Sequence, residues 1–360
     1  MTDLVVNTRM SGPPLRHNPG LVMAALVGLV LLVSLVALSL GATDIPINRV
    51  YGALMTLVGA SVGIPSGDAL IVLQVRLPRL FLGLLIGAAL ASCGALMQGL
   101  FRNPLADPGL VGVSAGAALA AAATITLGDT LLAPLIGPIP FSALPVGAFV
   151  GGLVTTWALY LVATRSGRTS IATMLLAGVA FGAMAGAVMG LFSYLSDDRQ
   201  LRDLSFWSLG SLSGATWTKV TAVLPLILPM LLATPFLARG LNALALGEAE
   251  AYHLGVPVQR LKALAILLVA VSVGASVAGA GMIGFVGIVV PHVLRLVAGP
   301  DHRFLLPASA LLGAVLLTAA DTVARVIVAP AELPIGILTA AIGAPFFLWL
   351  LLRRQAGSLL

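Results

Sequence analysis

At 360 residues, with 59% hydrophobic and only 9% charged positions, the chain is too apolar for a soluble globular protein, in which about a quarter of residues are charged. Its net charge of +6 comes from bases scattered singly rather than clustered, which suits membrane insertion and speaks against nucleic-acid binding. One cysteine, Cys93, lies inside an apolar run; it excludes an intrachain disulfide framework and a thiolate metal site, and reads as packing.

Taken in order, the chain alternates long apolar runs with short polar ones. Arg9 and Arg16 precede an apolar run over 21–40, as long as the ~20 residues that cross a bilayer and without a convincing small-residue cleavage site. It is the first of ten expected spans, at 21–41, 78–100, 110–128, 142–164, 170–192, 218–238, 260–281, 283–299, 303–323 and 335–352. The eighth is short, and Pro291, His292 and Arg295 crowd its end; His292 reads as a structural helix-end residue. An even number of spans puts both termini on one side. With that side inside, twelve of the nineteen bases fall on inner segments and seven on outer ones, which orients the chain by the positive-inside rule. The expected organisation is a cytoplasmic tail over 1–20, a single ten-helix domain over 21–352 and a cytoplasmic tail over 353–360.

Glycines recur inside the spans. Gly83, Gly87, Gly94 and Gly99 lie in the second, and Gly178, Gly182, Gly186 and Gly190 lie four apart in the fifth. Small residues at this spacing let helix backbones approach closely, within one chain or across a dimer. Met174, Met184 and Met189 on the fifth span read first as packing. Spans two to five and seven to ten start from opposite sides, an arrangement that fits an inverted repeat, although no residue-level repeat is visible.

The stretch over 239–262, RGLNALALGEAEAYHLGVPVQRLK, breaks the apolar pattern. It splits at Gly247. The second piece opens with Glu248 and Glu250, acids favoured in a first helical turn. It ends at Gly255 with Pro257 beyond, a helix-stop arrangement. Leu241, Leu244 and Leu246, then Ala249, Tyr252 and Leu254, form an apolar edge. The pieces are too short and too polar to span a bilayer, so the stretch is either a docking element or a plain connector.

No phosphate-binding loop, HExxH motif, intramembrane carboxylate pair or nucleophile elbow is present, so neither an enzyme nor an ion-coupled pump is supported. Arg76 and Arg79 flank Pro78 where the second span begins; they suit lipid headgroups or an acidic partner. Asp321 and Arg325, four apart near the end of the ninth span, are spaced to pair on one helix face, which either neutralises the acid or aims the arginine outward. The segment 194–217, YLSDDRQLRDLSFWSLGSLSGATW, offers aromatics for an interfacial belt or for the rim of a ligand mouth.

Over these residues the chain resembles a known family. The stretch RLPRLFLGLLIGAALASCGALMQGLFRNPLADPGLVGVSAGA (76–117) is similar to the signature region of the FecCD-type permeases, membrane subunits of bacterial ABC importers for iron-siderophores, heme and cobalamin. The resemblance continues through LGSLSGATW, LNALALGEAEAYHLGVPV, GMIGFVGIVVPHVLRLVAGPDHRFLLPASALLGAV and DTVARVIVAPAELPIGILTAAIGAPFFLWLL, covering nearly all of 70–352.

The resemblance implies an all-α polytopic protein with the type II ABC importer permease fold, in the bacterial inner membrane. It implies a homodimer with the path between the copies, two cytoplasmic ATP-binding subunits and a periplasmic binding protein. ATP and Mg belong to the partner, so this chain is expected to have no catalytic residue and to bind no metal or cofactor of its own. The segment 239–260 corresponds to the coupling helices that fit a cleft on the ATPase, with Leu244, Leu246, Gly247, Glu248, Glu250, Tyr252, His253, Leu254 and Gly255 as contacts. Arg76, Arg79 and Arg325 match outward arginines that meet glutamates of the binding protein. Ser170, Thr173 and Met174 fall near the family's inner constriction, and Tyr194, Phe206 and Trp207 are expected outer contacts of the path. The QLRDL–aromatic–Trp run is most similar to the heme-importing branch; ferric siderophore and cobalamin are the alternatives within the family. An ATP-independent secondary transporter is the alternative outside it.

Overall fold

The computed structural model describes residues 18–41, 43–57, 59, 65–128, 130–136 and 143–358. Most of the expected N-terminal tail, including Arg9 and Arg16, lies outside them. The first helices are α1 (Pro19–Ser39), α2 (Ile47–Thr56), α3 (Ser66–Leu70) and α4 (Leu77–Leu100). They are followed by α5 (Val113–Leu127), α6 (Ala133–Ile136) and α7 (Ala143–Ala163), then a two-strand hairpin of β1 (Thr164–Arg165) and β2 (Arg168–Thr169). Next come α8 (Ile171–Leu195), α9 (Asp198–Leu209), α10 (Trp217–Leu246) and α11 (Glu248–His253). The chain closes with α12 (Val258–Ala280), α13 (Val286–Ala298), α14 (His302–Val326) and α15 (Ile335–Ser358).

Seven of these helices are long and apolar enough to cross a membrane, and three shorter apolar ones, at Val113–Leu127, Val286–Ala298 and Ile335–Trp349, complete the ten segments read from the sequence. The boundaries shift at several helix ends. α10 runs eight residues beyond its expected end, into the 239–246 piece, and tolerates Pro225, Pro229 and Pro235 on the way. Such prolines persist in membrane helices because neighbouring groups take up the freed backbone atoms. α15 continues to Ser358, so 353–358 extend the last helix.

The second span begins earlier than expected. One helix runs from Gly67 to Leu100, with a π-helical stretch at Ile71–Arg76. Pro78 is the physical reason for the irregularity. It has no N–H to donate, so the ladder changes register just ahead of it. The Leu77 N–H reaches back to Val72 O, and the Leu73 carbonyl accepts the Trp217 indole N–H at 3.0 Å instead.

α4 is the central post. Its apolar window is 83% buried, and it packs against α10, α12, α13 and α14. Two glycines permit this. A Cβ at Gly87 would stand 2.3 Å from the Gly313 carbonyl oxygen of α14, and one at Gly94 would stand 1.9 Å from the Gly287 oxygen of α13. α8 is the opposite case: only 6% of its apolar stretch is buried.

The two sets of four helices share a pattern of lengths. α4, α5, α7 and α8 have 24, 15, 21 and 25 residues; α12, α13, α14 and α15 have 23, 13, 25 and 24. In each set the second helix is the short one, and it starts from a residue in the left-handed region, Gly112 at φ +80° and Phe285 at φ +67°. The short turn that precedes α5 reaches the first turn of α13, where Pro108 lies against Gly287.

Candidate functional site

Two polar clusters and one exposed face carry the residues singled out from the sequence. The first cluster sits at the end of the bundle where α10 passes into α11. Gly247, at φ +136°, makes the break, and a side chain there would collide with the Glu250 carboxylate. α11 stops as its composition predicts. Gly255 N–H bonds Tyr252 O at 2.9 Å and Val256 N–H bonds Ala251 O at 3.0 Å, the paired closure of a helix ended by a left-handed glycine.

This geometry sorts the apolar edge into two faces. Leu241, Leu244 and Ala251 are buried and fix the element to the bundle. Leu246, Tyr252 and Leu254 are 67%, 73% and 64% exposed. Glu250 and His253 are also exposed. Glu248 differs, because its carboxylate accepts from Lys262 Nζ at 2.7 Å. Lys262 is buried, and its ammonium also donates to the Thr169 carbonyl at 3.0 Å.

The same end is tied together elsewhere. Asn242 Nδ2 donates to Asp301 Oδ1 at 2.7 Å, and Asp301 caps α14 by accepting from the Arg303 N–H at 2.9 Å. These hydrogen bonds, the backbone one first, hold the Asp301 carboxyl below the usual carboxylate range.

The second cluster lies at the opposite end and contains the three arginines expected to meet the binding protein. Arg76, Arg79 and Arg325 are only 5%, 8% and 8% exposed. Arg76 Nη1 donates to the Leu38 and Ser39 carbonyls at 2.6 and 2.7 Å, and Nη2 donates to Thr43 O. Arg325 Nη2 donates to Ala37 O at 3.2 Å. The two arginines thus cap the last turn of α1, whose terminal carbonyls lack helical partners and favour positive charge. Arg79 is held by Asp321 and by Glu332 Oε1, at 2.8 Å each. Arg325 Nε lies 3.2 Å from Asp321 Oδ2, so the four-residue spacing does form a pair, and it points inward. In this conformation all three arginines are engaged by groups of the chain itself. Of the bases on the expected outer segments, Arg49, Arg199 and Arg202 are exposed.

The third feature is the outer face of α8. Ser170 caps the helix, accepting from Thr173 N–H at 3.2 Å and from Thr173 Oγ1 at 2.9 Å, and both residues are exposed. Leu176, Val179, Met184, Leu191 and Tyr194 continue an exposed apolar stripe. A Cβ at Gly182, Gly186 or Gly190 would meet nothing within 4 Å. Met174 lies apart from this stripe: it is 0% exposed and packs in the core, as it projects from the opposite side of the helix. Tyr194 and Phe206 are 86% and 61% exposed, whereas Trp207 leans against the core. α9, absent from the ten-span reading, is fixed by reciprocal bonds between Asp197 and Gln200, a capping box visible in the sequence as D-x-x-Q.

The model of the FecCD transport family matches residues 29–353. The hemin transport system permease protein HmuU of Yersinia pestis is 46% identical over 342 residues, 94% of this chain and 98% of that protein. The cobalamin import system permease protein BtuC of Halobacterium salinarum is 46% identical over 297 residues, covering 82% and 77%. A solved structure described as an inward-facing conformation of a metal-chelate type ABC transporter superposes with a TM-score of 0.79 at 31% identity, covering 93% of this chain and 99% of that one. With the family model spanning most of the chain and relatives of this similarity, the chain belongs to the FecCD transport family.

Proposed function

We propose that the chain is the membrane-spanning permease subunit of an ATP-driven bacterial importer and that its cargo is heme. The observation that carries the cargo is reach. The hemin permease aligns over 94% of this chain, whereas the cobalamin permeases, at the same level of identity, align over 79–82%. The aspartate-rich QLRDL–aromatic run, which forms α9, supports the same choice. Cobalamin is the second reading, favoured by the 46–47% identity of those relatives.

In this reading two copies assemble around α8 in the inner membrane, with both termini in the cytoplasm. The exposed stripe and open glycines of α8 support that assembly. The exposed Leu246, Tyr252 and Leu254 are the contact with a cytoplasmic ATP-binding subunit, and a periplasmic binding protein delivers cargo to the opposite end. Transport is alternating access: nucleotide and cargo protein favour different states of the same dimer. Reconstitution with the cognate ATPase and binding protein tests the proposal. ATP-dependent uptake of heme, exceeding that of ferric siderophore and cobalamin, is the expected result. Uptake by the permease alone, without ATPase, would point instead to a secondary transporter.

A further inference from the structure

Lys262 is the largest side chain with almost no exposure in the described structure. Its ammonium joins two elements far apart in sequence: Glu248 Oε1 on α11 at 2.7 Å and the Thr169 carbonyl at 3.0 Å. Thr169 is the last residue of β2 and immediately precedes Ser170, the cap of α8. The other backbone group of Thr169 is held as well, its N–H donating to Gln259 Oε1 at 3.0 Å. Both main-chain groups at the entrance to α8 are therefore fixed by side chains from the first turns of α12. The hairpin is narrow, with Thr164 opposite Thr169 and their hydroxyls 3.0 Å apart, so little slack separates this anchor from α7.

Stability does not account for the lysine. Its one carboxylate partner is 43% exposed, and a buried ion pair is often matched or exceeded in stability by an apolar residue of similar volume. What the ammonium supplies is a fixed relative position of α11 and the start of α8. α8 packs along one side against α5 and α7 and leaves most of its surface uncovered, with only 6% of its apolar stretch buried.

We propose that Lys262, assisted by Gln259, is a positioning residue that latches α11 to the entrance of α8, so that a displacement of α11 is delivered to the α8 face as one rigid movement. The inference rests on the reading of 239–260 as the ATPase contact, and it adds the route by which that contact reaches the path. Without the latch, α11 moves while α8 lags behind.

The test uses the full permease with reporters at Ala172→Cys on α8 and Tyr252→Cys on α11, both exposed, while the native Cys93 is buried. Spin-label distances between them are measured in nanodiscs without any partner. A single narrow distribution is expected in the parent and a broadened one in Lys262→Met. In the unlabelled importer, Lys262→Met is expected to keep its ATPase subunit bound and to lose uptake about tenfold, a size typical of coupling between sites. Gln259→Leu, which removes half of the anchor without touching a charge, is expected to shift both readouts in the same direction and carries the test if Lys262→Met does not fold. Unchanged distances in the folded variants, or uptake equal to the parent, overturn the latch. Failure of the ATPase-contact reading is a separate result, recognised when Tyr252→Ala and Leu254→Asp keep the ATPase bound.

Discussion

Arg79 grips Asp321 with two nitrogens, Nε at 3.0 Å from Oδ2 and Nη2 at 2.8 Å from Oδ1. Arg325 closes on the same carboxylate at 3.2 Å from one turn further along α14. One buried acid thus serves two buried arginines. Asp321→Ala leaves Arg79 with Glu332 alone and Arg325 without a carboxylate, and is expected to destabilise the protein by about 3–5 kcal/mol, the range for breaking a buried pair from one side. Glu332→Gln removes a partner that is 37% exposed and is expected to cost at most about 1 kcal/mol, as an exposed pair does. Thermal unfolding in one detergent compares them; equal midpoints for the two variants contradict the buried network.

The glycines of α4 and α8 are expected to respond oppositely to alanine. Gly94→Ala forces a methyl into the Gly287 backbone and should destabilise by about 1–3 kcal/mol or more, as overpacking does. Gly186→Ala meets no atom within 4 Å in the chain, so the monomer's own packing should not change. A loss of dimer in Gly186→Leu, read by light scattering in detergent, would place α8 at the interface between copies. Unchanged dimerisation removes α8 from that role.

Tyr252 and Leu254 project from α11 with most of their surface free. Leu254→Asp should leave thermal stability within about 0.5 kcal/mol, as exposed substitutions usually do. Its binding to the ATPase subunit should weaken about thirtyfold, the loss of about 2 kcal/mol that marks a central interface residue. Co-purification and ATPase stimulation by the binding protein measure this. Full retention of both would rule out the contact.

Asp301 links α14 to α10 through Asn242. Asp301→Ala removes a helix cap and is expected to cost about 1 kcal/mol at neutral pH. The folded carboxyl is held below its unfolded range, so its stabilisation is complete above the unfolded value of about 4 and disappears as pH falls below that. The gap in stability between parent and variant should therefore close below about pH 4. A gap that persists at lower pH would mean that the contribution does not come from the carboxylate.

Much of this was legible in the chain itself. The ten apolar segments follow from run length alone, because a bilayer sets a fixed requirement on each span. α11 follows from Gly247, its two early acids and Gly255, since capping chemistry is local. The family follows from long motifs that need no folding argument. Local sequence could not say where Arg76, Arg79 and Arg325 point. Read singly, they suit docking; in the structure their partners come from α1, from α14 and from Glu332 beyond it, up to 288 positions away. Met174 likewise shares its helix with path candidates and faces the core.

Hydropathy, caps and motifs therefore determined the class of protein, the number of its membrane segments and the placement of the 239–260 element. The tertiary structure alone decided which charges are spoken for and which helix face is left open. The physical reason is that burying a charge in an apolar bundle requires a partner, and the chain brings that partner from another helix. Lys262 looks like an ordinary base at the start of a span until the fold sets the Thr169 carbonyl 3.0 Å from its ammonium.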